Sequence, residues 1–192
     1  EELVVADELA PWVRSTAAAL SCPCLPRVTV VGASVVVDEG REYSAEGSYL
    51  LGLQYHRERN GQGAEALYKR SIAQRDDWSW PYIGLGRLLR GYRNVEAEGA
   101  LRKAIALDPD WSWPHSNLGF FLRAAGRLDE AEAVAQQAMA LGPGEITPII
   151  CYANVLKVKG LYEEALGQYL KAFALKPTSS RAHYNLACVY SL

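Results

Sequence analysis

Asp77-Trp78-Ser79-Trp80-Pro81 returns unchanged as Asp110-Trp111-Ser112-Trp113-Pro114, 33 residues later. Outward from this pair the echo widens. Leu51-Gly52, Leu85-Gly86, Leu118-Gly119, Tyr152-Ala153 and Leu186-Ala187 follow one another at steps of 34, 33, 34 and 34. A fixed period of this size marks one supersecondary unit stacked on itself. A single unit cannot bury its apolar face, so stacking does, and the result is an extended surface rather than a catalytic cleft.

Within one period the apolar residues recur at helical spacing. Leu118, Phe121 and Leu122 form one stripe, Gly126-Arg127 supplies a turn, and Leu128, Ala131, Ala135, Ala138 and Met139 form a second stripe. Small residues at Gly119 and Ala131 predict close approach of two antiparallel helices. Pro143 ends the unit, because proline cannot continue a helix. The plan repeats through Gly52, Tyr55, Ala64 and Tyr68, then Gly86, Leu89, Ala97, Leu101, Ala104 and Pro109, then Ala153, Leu156, Ala165, Tyr169, Ala172 and Pro177. A last partial unit holds Leu186, Ala187 and Tyr190. The second unit is one residue short near Tyr92-Arg93-Asn94, and the loss is expected to fall in the turn.

Leu118-Gly119 with Ala131, Ala138 and Pro143, and Gly160-Leu161-Tyr162-Glu163-Glu164-Ala165, resemble the tetratricopeptide repeat family. The resemblance runs in phase over about residues 45–192. It implies an all-α chain, a right-handed superhelical solenoid of antiparallel helix pairs with four full repeats and one terminal helix. Ser48 and His115 depart from the family pattern, where a larger apolar residue is usual, and Asp76 replaces the first closing proline. The Trp-Ser-Trp-Pro segments fall at repeat junctions. Serine and proline in a first helical turn suit a helix start. One tryptophan of each pair is expected to wedge between repeats and the other to face the inner groove.

Residues 1–44 stand outside the repeat as a small mixed segment. Glu8 to Leu20 reads as a helix interrupted by Pro11, and Arg27–Val31 and Val35–Asp38 as short strands around Gly32-Ala33-Ser34. The expected role is to cover the open end of the first repeat, or the segment is the remnant of a neighbouring domain.

Composition excludes several classes. Apolar content of 49% and charged content of 22% belong to a folded chain rather than a disordered one. A net charge of −2 gives no overall pull toward nucleic acid or a membrane surface, so neither is an expected partner. No run approaches the roughly 20 apolar residues of a membrane span. Residues 1–20 lack a basic leader before an apolar core, so no signal peptide is visible. Because the chain starts at Glu1 and stops at Leu192 within a period, a piece of a longer protein is expected. Cys22-Pro23-Cys24 is a C-x-C without further ligands at metal-binding spacing, so no metal and no cofactor is expected. With Cys151 and Cys188 the thiols read as reduced, and a cytoplasmic location is the expectation. His56, His115 and His183 form no metal or catalytic motif, and there is no G-x-S-x-G or phosphate loop, so no enzyme is expected. Glu163-Glu164 and Asp129-Glu130 follow turns, where acids favour a helix N-terminus.

The informative chemistry lies four residues past each Gly or Ala of the crossing, at His56, Arg90, Arg123 and Lys157, with Ser191 in the last unit. The resemblance implies that this position faces a concave groove. Arg87 and Arg181 are expected at its border, and Asn117, Asn154 and Asn185 as amides able to grip a peptide backbone. Neighbouring helices pack about 8–10 Å apart and an extended strand advances about 3.3 Å per residue, so each cation meets about every third residue of a bound strand of about ten. The expected function is a protein-interaction scaffold or adaptor for an extended, acidic or carboxylate-ended peptide. The alternative is a regulatory or targeting module of a larger enzyme or transcriptional regulator. Self-association through a C-terminal apolar edge at Tyr184, Leu186 and Val189 is a further expectation.

Overall fold

The structure is a computed structural model, and it describes residues 43–178 together with Val30–Val31, Ser34–Val35 and Tyr184. The chain divides into two compact units, Glu1–Tyr43 and Ser44–Leu192. In the first, Val30–Val31 (β1) and Ser34–Val35 (β2) pair antiparallel, with Val30 opposite Val35 and Val31 opposite Ser34. The helix expected at Glu8–Leu20 lies outside the described residues, as do Cys22, Cys24 and Cys188.

The second unit is helical. Its described helices are α1 (Ala45–Arg57), α2 (Gly61–Gln74), α3 (Ser79–Leu89), α4 (Asn94–Leu107), α5 (Ser112–Ala124), α6 (Leu128–Leu141), α7 (Ile146–Val158) and α8 (Tyr162–Leu175). They pair as four hairpins, and each second helix packs on the first helix of the next hairpin. First helices also touch in succession, α1 on α3, α3 on α5 and α5 on α7, whereas no comparable contact joins the second helices. The row that stays in contact is the shorter arc, so the first helices form the inner layer.

The period explains the packing. Ala64, Ala97, Ala131 and Ala165 are fully buried where second helices cross first ones, and Ala104, Ala138 and Ala172 repeat this one turn and more downstream. In the first hairpin Ser71 takes the latter place, and its hydroxyl donates to the Ala45 carbonyl at 2.7 Å. A Cβ on Gly52 would stand 2.7 Å from the Tyr68 ring, and one on Gly84 would stand 2.9 Å from it. Tyr68 thus reaches both α1 and α3 because two glycines make room. At Gly119 the tightest neighbour is Cys151 Sγ of the next hairpin, 2.7 Å from such a Cβ, with the Ala131 carbonyl looser at 3.7 Å. The small residue there serves the stacking of hairpins more than the crossing within one.

The missing residue of the second unit is absorbed differently from the expectation. The helix α3 has 11 residues where α1, α5 and α7 have 13. It stops at Leu89, and Arg90 takes an extended conformation (φ −59°, ψ 125°) before Gly91 at φ +100°. The helix end gives way because the Leu89 carbonyl finds its partners in the turn, Tyr92 N and Arg93 N, whereas the start of α4 must keep Ala97 and Leu101 in register with Gly86.

The inner turns of the other hairpins need one left-handed residue each. Gly126 (φ +78°) and Gly160 (φ +81°) supply it, but the first hairpin uses Arg59 at φ +61°. A side chain in this region costs about 1 kcal/mol. Arg59→Gly is therefore expected to raise stability by about 0.5–1 kcal/mol, less the entropy glycine loses on folding. Gly126→Ala, with open space around its Cβ, is expected to lower stability by about 1 kcal/mol. Urea midpoints of the two variants against the parent decide it, and equal midpoints would remove the strain argument.

Candidate functional site

The start of each inner helix is fixed by the repeated pentapeptide. Trp78 and Trp111 are the N-cap residues, and neither caps with its side chain. The following serines are buried and act elsewhere. Ser79 Oγ donates to Asp108, the C-cap of its own hairpin's second helix, and Ser112 Oγ donates at 2.5 Å to Glu145 Oε2, the N-cap of the next hairpin's first helix. The aromatic rings form a continuous cluster. Trp80 lies 4.7 Å from Trp111, 5.0 Å from Trp113 and 6.1 Å from Tyr49, centroid to centroid. Both tryptophans of the first pentapeptide are buried, so neither faces a groove, and those of the second are half-buried. The Arg87 guanidinium stands 5.9 Å over the Trp113 ring.

Charge is sorted by layer. The inner helices α3, α5 and α7 contain no Asp or Glu, and the only acid of α1 is Glu46. Acids sit instead on the second helices and in the loops. There they make a ladder between hairpins. Arg93 pairs with Glu65, Arg127 donates to both oxygens of Glu98 at 2.8 Å, and Lys159 Nζ lies 2.6 Å from Glu132 and 2.8 Å from Asp129. Each cation leaves an inner turn to hold a carboxylate of the preceding second helix.

One rung has a readable acid response. Arg93 and then Lys69, by hydrogen bonds, hold the Glu65 carboxyl down to about 2 from 4.5. A depressed folded value means stabilisation present above the unfolded value and lost as pH falls from about 4.5 toward 2. Between pH 7 and pH 3 the parent is expected to lose about 1 kcal/mol more than Glu65→Gln, after screening by water. Urea unfolding at the two pH values measures it, and parallel losses would refute it.

The inner cations have no such acids. Arg87, Arg90, Arg123 and Lys157 make no ion pair among the described residues. Burial, then Arg123, then Arg87, holds Arg90 below arginine's usual value. Burial, then Arg87 and Arg90, lowers His56, whose Nδ1 is 3.4 Å from the Tyr68 hydroxyl. Arg87 and Arg90 thus act on His56, and Arg123 and Arg87 on Arg90. Lys157 stands half-buried at the equivalent place of α7. Arg123 is half-buried, and its Nε is enclosed without a hydrogen-bond partner.

The amides are partly spent. Asn117 is only 7% exposed and its Nδ2 donates to the Trp113 carbonyl of its own helix at 2.8 Å. Asn154 Oδ1 accepts from the Tyr169 hydroxyl at 2.7 Å, which leaves its amide nitrogen for other use. Arg181 and Asn185 lie outside the described residues, as do Ser191, Leu186 and Val189; Tyr184 is exposed. His115 is buried, and its Nε2 bonds the Pro109 carbonyl at 2.9 Å. Cys151 donates to the Ser116 carbonyl at 3.3 Å, and burial pushes its thiol up to about 12. Among the described residues no group of His, Cys, Asp and Glu is placed to hold a metal, and no helix is long and apolar enough to cross a membrane.

Sequence reasoning missed a small cleft between the C-terminal turns of α3 and α5, lined by Arg90, Gly91, Asn94, Phe121, Ala124 and Ala125. It follows from the shortened α3, and the one-residue deficit was its only signal.

The family model described as "TPR repeat" matches residues 153–192. That stretch is similar to the tetratricopeptide repeat. The helical array superposes on TTC0263, a thermophilic TPR protein of Thermus thermophilus, with a TM-score of 0.71 and 22% identity, over 78% of this chain and 82% of that one. It also matches Pseudomonas aeruginosa pilF (TM-score 0.67, 19% identity, 77% of this chain and 68% of that one). A third match is YrrB, a TPR protein described as having an unusual peptide-binding site (TM-score 0.54, 19% identity, 77% of each chain). These likenesses establish the shared fold. No curated protein shows a significant sequence match.

Proposed function

We propose that this chain binds an extended acidic segment of a partner protein along its inner layer. The observation that carries the proposal is the absence of Asp and Glu from α3, α5 and α7, which hold or adjoin Arg87, Arg90, Arg123 and Lys157. The net charge of −2 conceals this division, because the balancing acids stand on the other layer. A row of unpaired cations favours a ligand of opposite sign and penalises one of like sign. An extended strand suits the row, since adjacent inner helices at about 8–10 Å match about three residues of strand. The amide nitrogen of Asn154 and the imidazole of His56 add polar contacts beside the cations. The peptide-binding description of YrrB supports this class of ligand by analogy of fold.

The test is fluorescence anisotropy with two labelled peptides of about ten residues, one alternating Glu and Gly, the other Lys and Gly. Binding of the Glu peptide that weakens with salt, and none of the Lys peptide, is the expected result. Equal binding of both at low salt overturns the proposal.

A further inference from the structure

One place at the end of the inner layer offers a charge and a cavity together. The helix α3 runs for 11 residues against 13 in α1, α5 and α7, so Arg90 and Gly91 follow it outside the helix. In the other three first helices the place of Gly91 holds Arg57, Ala124 and Val158, each still helical and each with a side chain. Gly91 has none, and a Cβ built on it would meet nothing within 4 Å. The gap left there is the cleft of about 200 Å³ between the ends of α3 and α5, part of it open to solvent. Phe121, Ala124 and Ala125 wall it on the α5 side, and Arg90, Gly91 and Asn94 on the other. Asn94 Oδ1 accepts from Gly91 N at 2.9 Å, which pins the amide and leaves its nitrogen for another acceptor. Arg90 makes no ion pair among the described residues.

Building on the acidic-peptide reading, we infer that this cleft is a socket for one carboxylate of the bound strand. The side-chain groups left over at its wall are donors, a guanidinium and an amide nitrogen. A carboxylate brings one charge and two acceptor oxygens, which match one guanidinium fork with an amide beside it. A carboxamide of the same shape would set its own donors against these, and an ammonium would add like charge. The apolar side chains of Phe121, Ala124 and Ala125 suit the short hydrocarbon stem behind a carboxylate. A partly enclosed pair is also screened less by water and salt than one on an open face. The socket therefore reads one acid of the strand more strictly than the rest of the cation row reads the others. An Asp or Glu side chain and the C-terminal end of a chain carry the same two oxygens, so either can supply the group.

The experiment uses the whole chain and two labelled peptides of about ten residues. One alternates Glu and Gly with both ends blocked, so all its carboxylates are on side chains. The other alternates Gln and Gly with a free C-terminus, so its one carboxylate is the chain end. Ala124 is exposed at the end of α5, and Ala124→Leu fills the cleft without altering any charge. The peptide whose carboxylate enters the socket is expected to lose at least about tenfold in affinity, and the identity of that peptide names the source. Asn94→Asp keeps an acceptor for Gly91 N, removes the donor and sets a carboxylate beside Arg90, so a similar loss is expected. Ala133→Leu, at an exposed position of the second helix α6, is the control and is expected to leave both affinities unchanged. Circular dichroism and the urea midpoint establish that each variant folds as the parent does. Losses below about threefold for both peptides in both cleft variants overturn the socket, and binding of the Glu peptide to the parent then leaves the acidic-peptide reading standing. Failure of both peptides to bind the parent overturns both. An equal loss in Ala133→Leu also overturns the socket, because filling the cleft would then be irrelevant.

Discussion

Trp80→Ala is expected to cost about 3–5 kcal/mol of unfolding free energy. Its side chain is only 5% exposed, and its ring joins the second hairpin to both neighbours, touching Tyr49 of the first and Trp111 and Trp113 of the third. The expected cavity therefore opens at two stacking interfaces at once. In a linear array, stability is a sum of unit terms and nearest-neighbour interface terms. Weakening two adjacent interfaces should lower the urea midpoint and also reduce cooperativity, so the slope of the transition falls with it. Trp80→Phe keeps an aromatic body in place and is expected to lose about 1–2 kcal/mol with an unchanged slope. Trp111→Ala removes a half-buried ring and should fall between them. A Trp80→Ala loss below about 1 kcal/mol would mean that the cluster is contact without coupling.

That cluster shows how far the sequence could be read. The repeat of Asp-Trp-Ser-Trp-Pro marked the helix starts, and spacing placed Gly52, Gly86 and Gly119 where helices approach closely. These features were legible because a one-dimensional repeat turns sequence period directly into contact period. The environment of each tryptophan was not legible. A half-buried and a fully buried ring carry the same letter, and only the neighbouring hairpin decides between them. The outer ladder was written in the chain as Glu65, Glu98 and Glu132, 33 and 34 residues apart, but its partners Arg93, Arg127 and Lys159 are separated from them by a turn and a helix. Asn117 failed as a free amide for a local reason. A short amide inside a helix can bond the carbonyl four residues back, and Asn117 does so with Trp113. The inner arginines were placed by period alone; their lack of acid partners needed coordinates.

The largest effect on binding is expected from Arg90→Glu combined with Arg123→Glu. Each change replaces a cation by an anion on the inner layer, where Arg87 and Lys157 remain. Each lost charge-assisted contact removes about 1–3 kcal/mol, and repulsion by the new carboxylates adds to the loss. Acidic-peptide affinity should therefore fall at least about a hundredfold. The fold should survive, because neither arginine is paired with an acid among the described residues. The control matches the change in net charge on the other layer. Lys103 and Lys171 are exposed on the second helices α4 and α8, and reversing both should alter affinity by no more than about threefold at physiological salt, since those charges stand on the other layer and salt screens exposed charges. Equal losses from the two double variants would mean that the peptide responds to the field of the whole chain and not to the inner row. Undiminished binding by the Arg90→Glu, Arg123→Glu chain at low salt would move the ligand off the inner layer altogether, because under those conditions a misplaced pair of carboxylates repels an acidic strand most strongly.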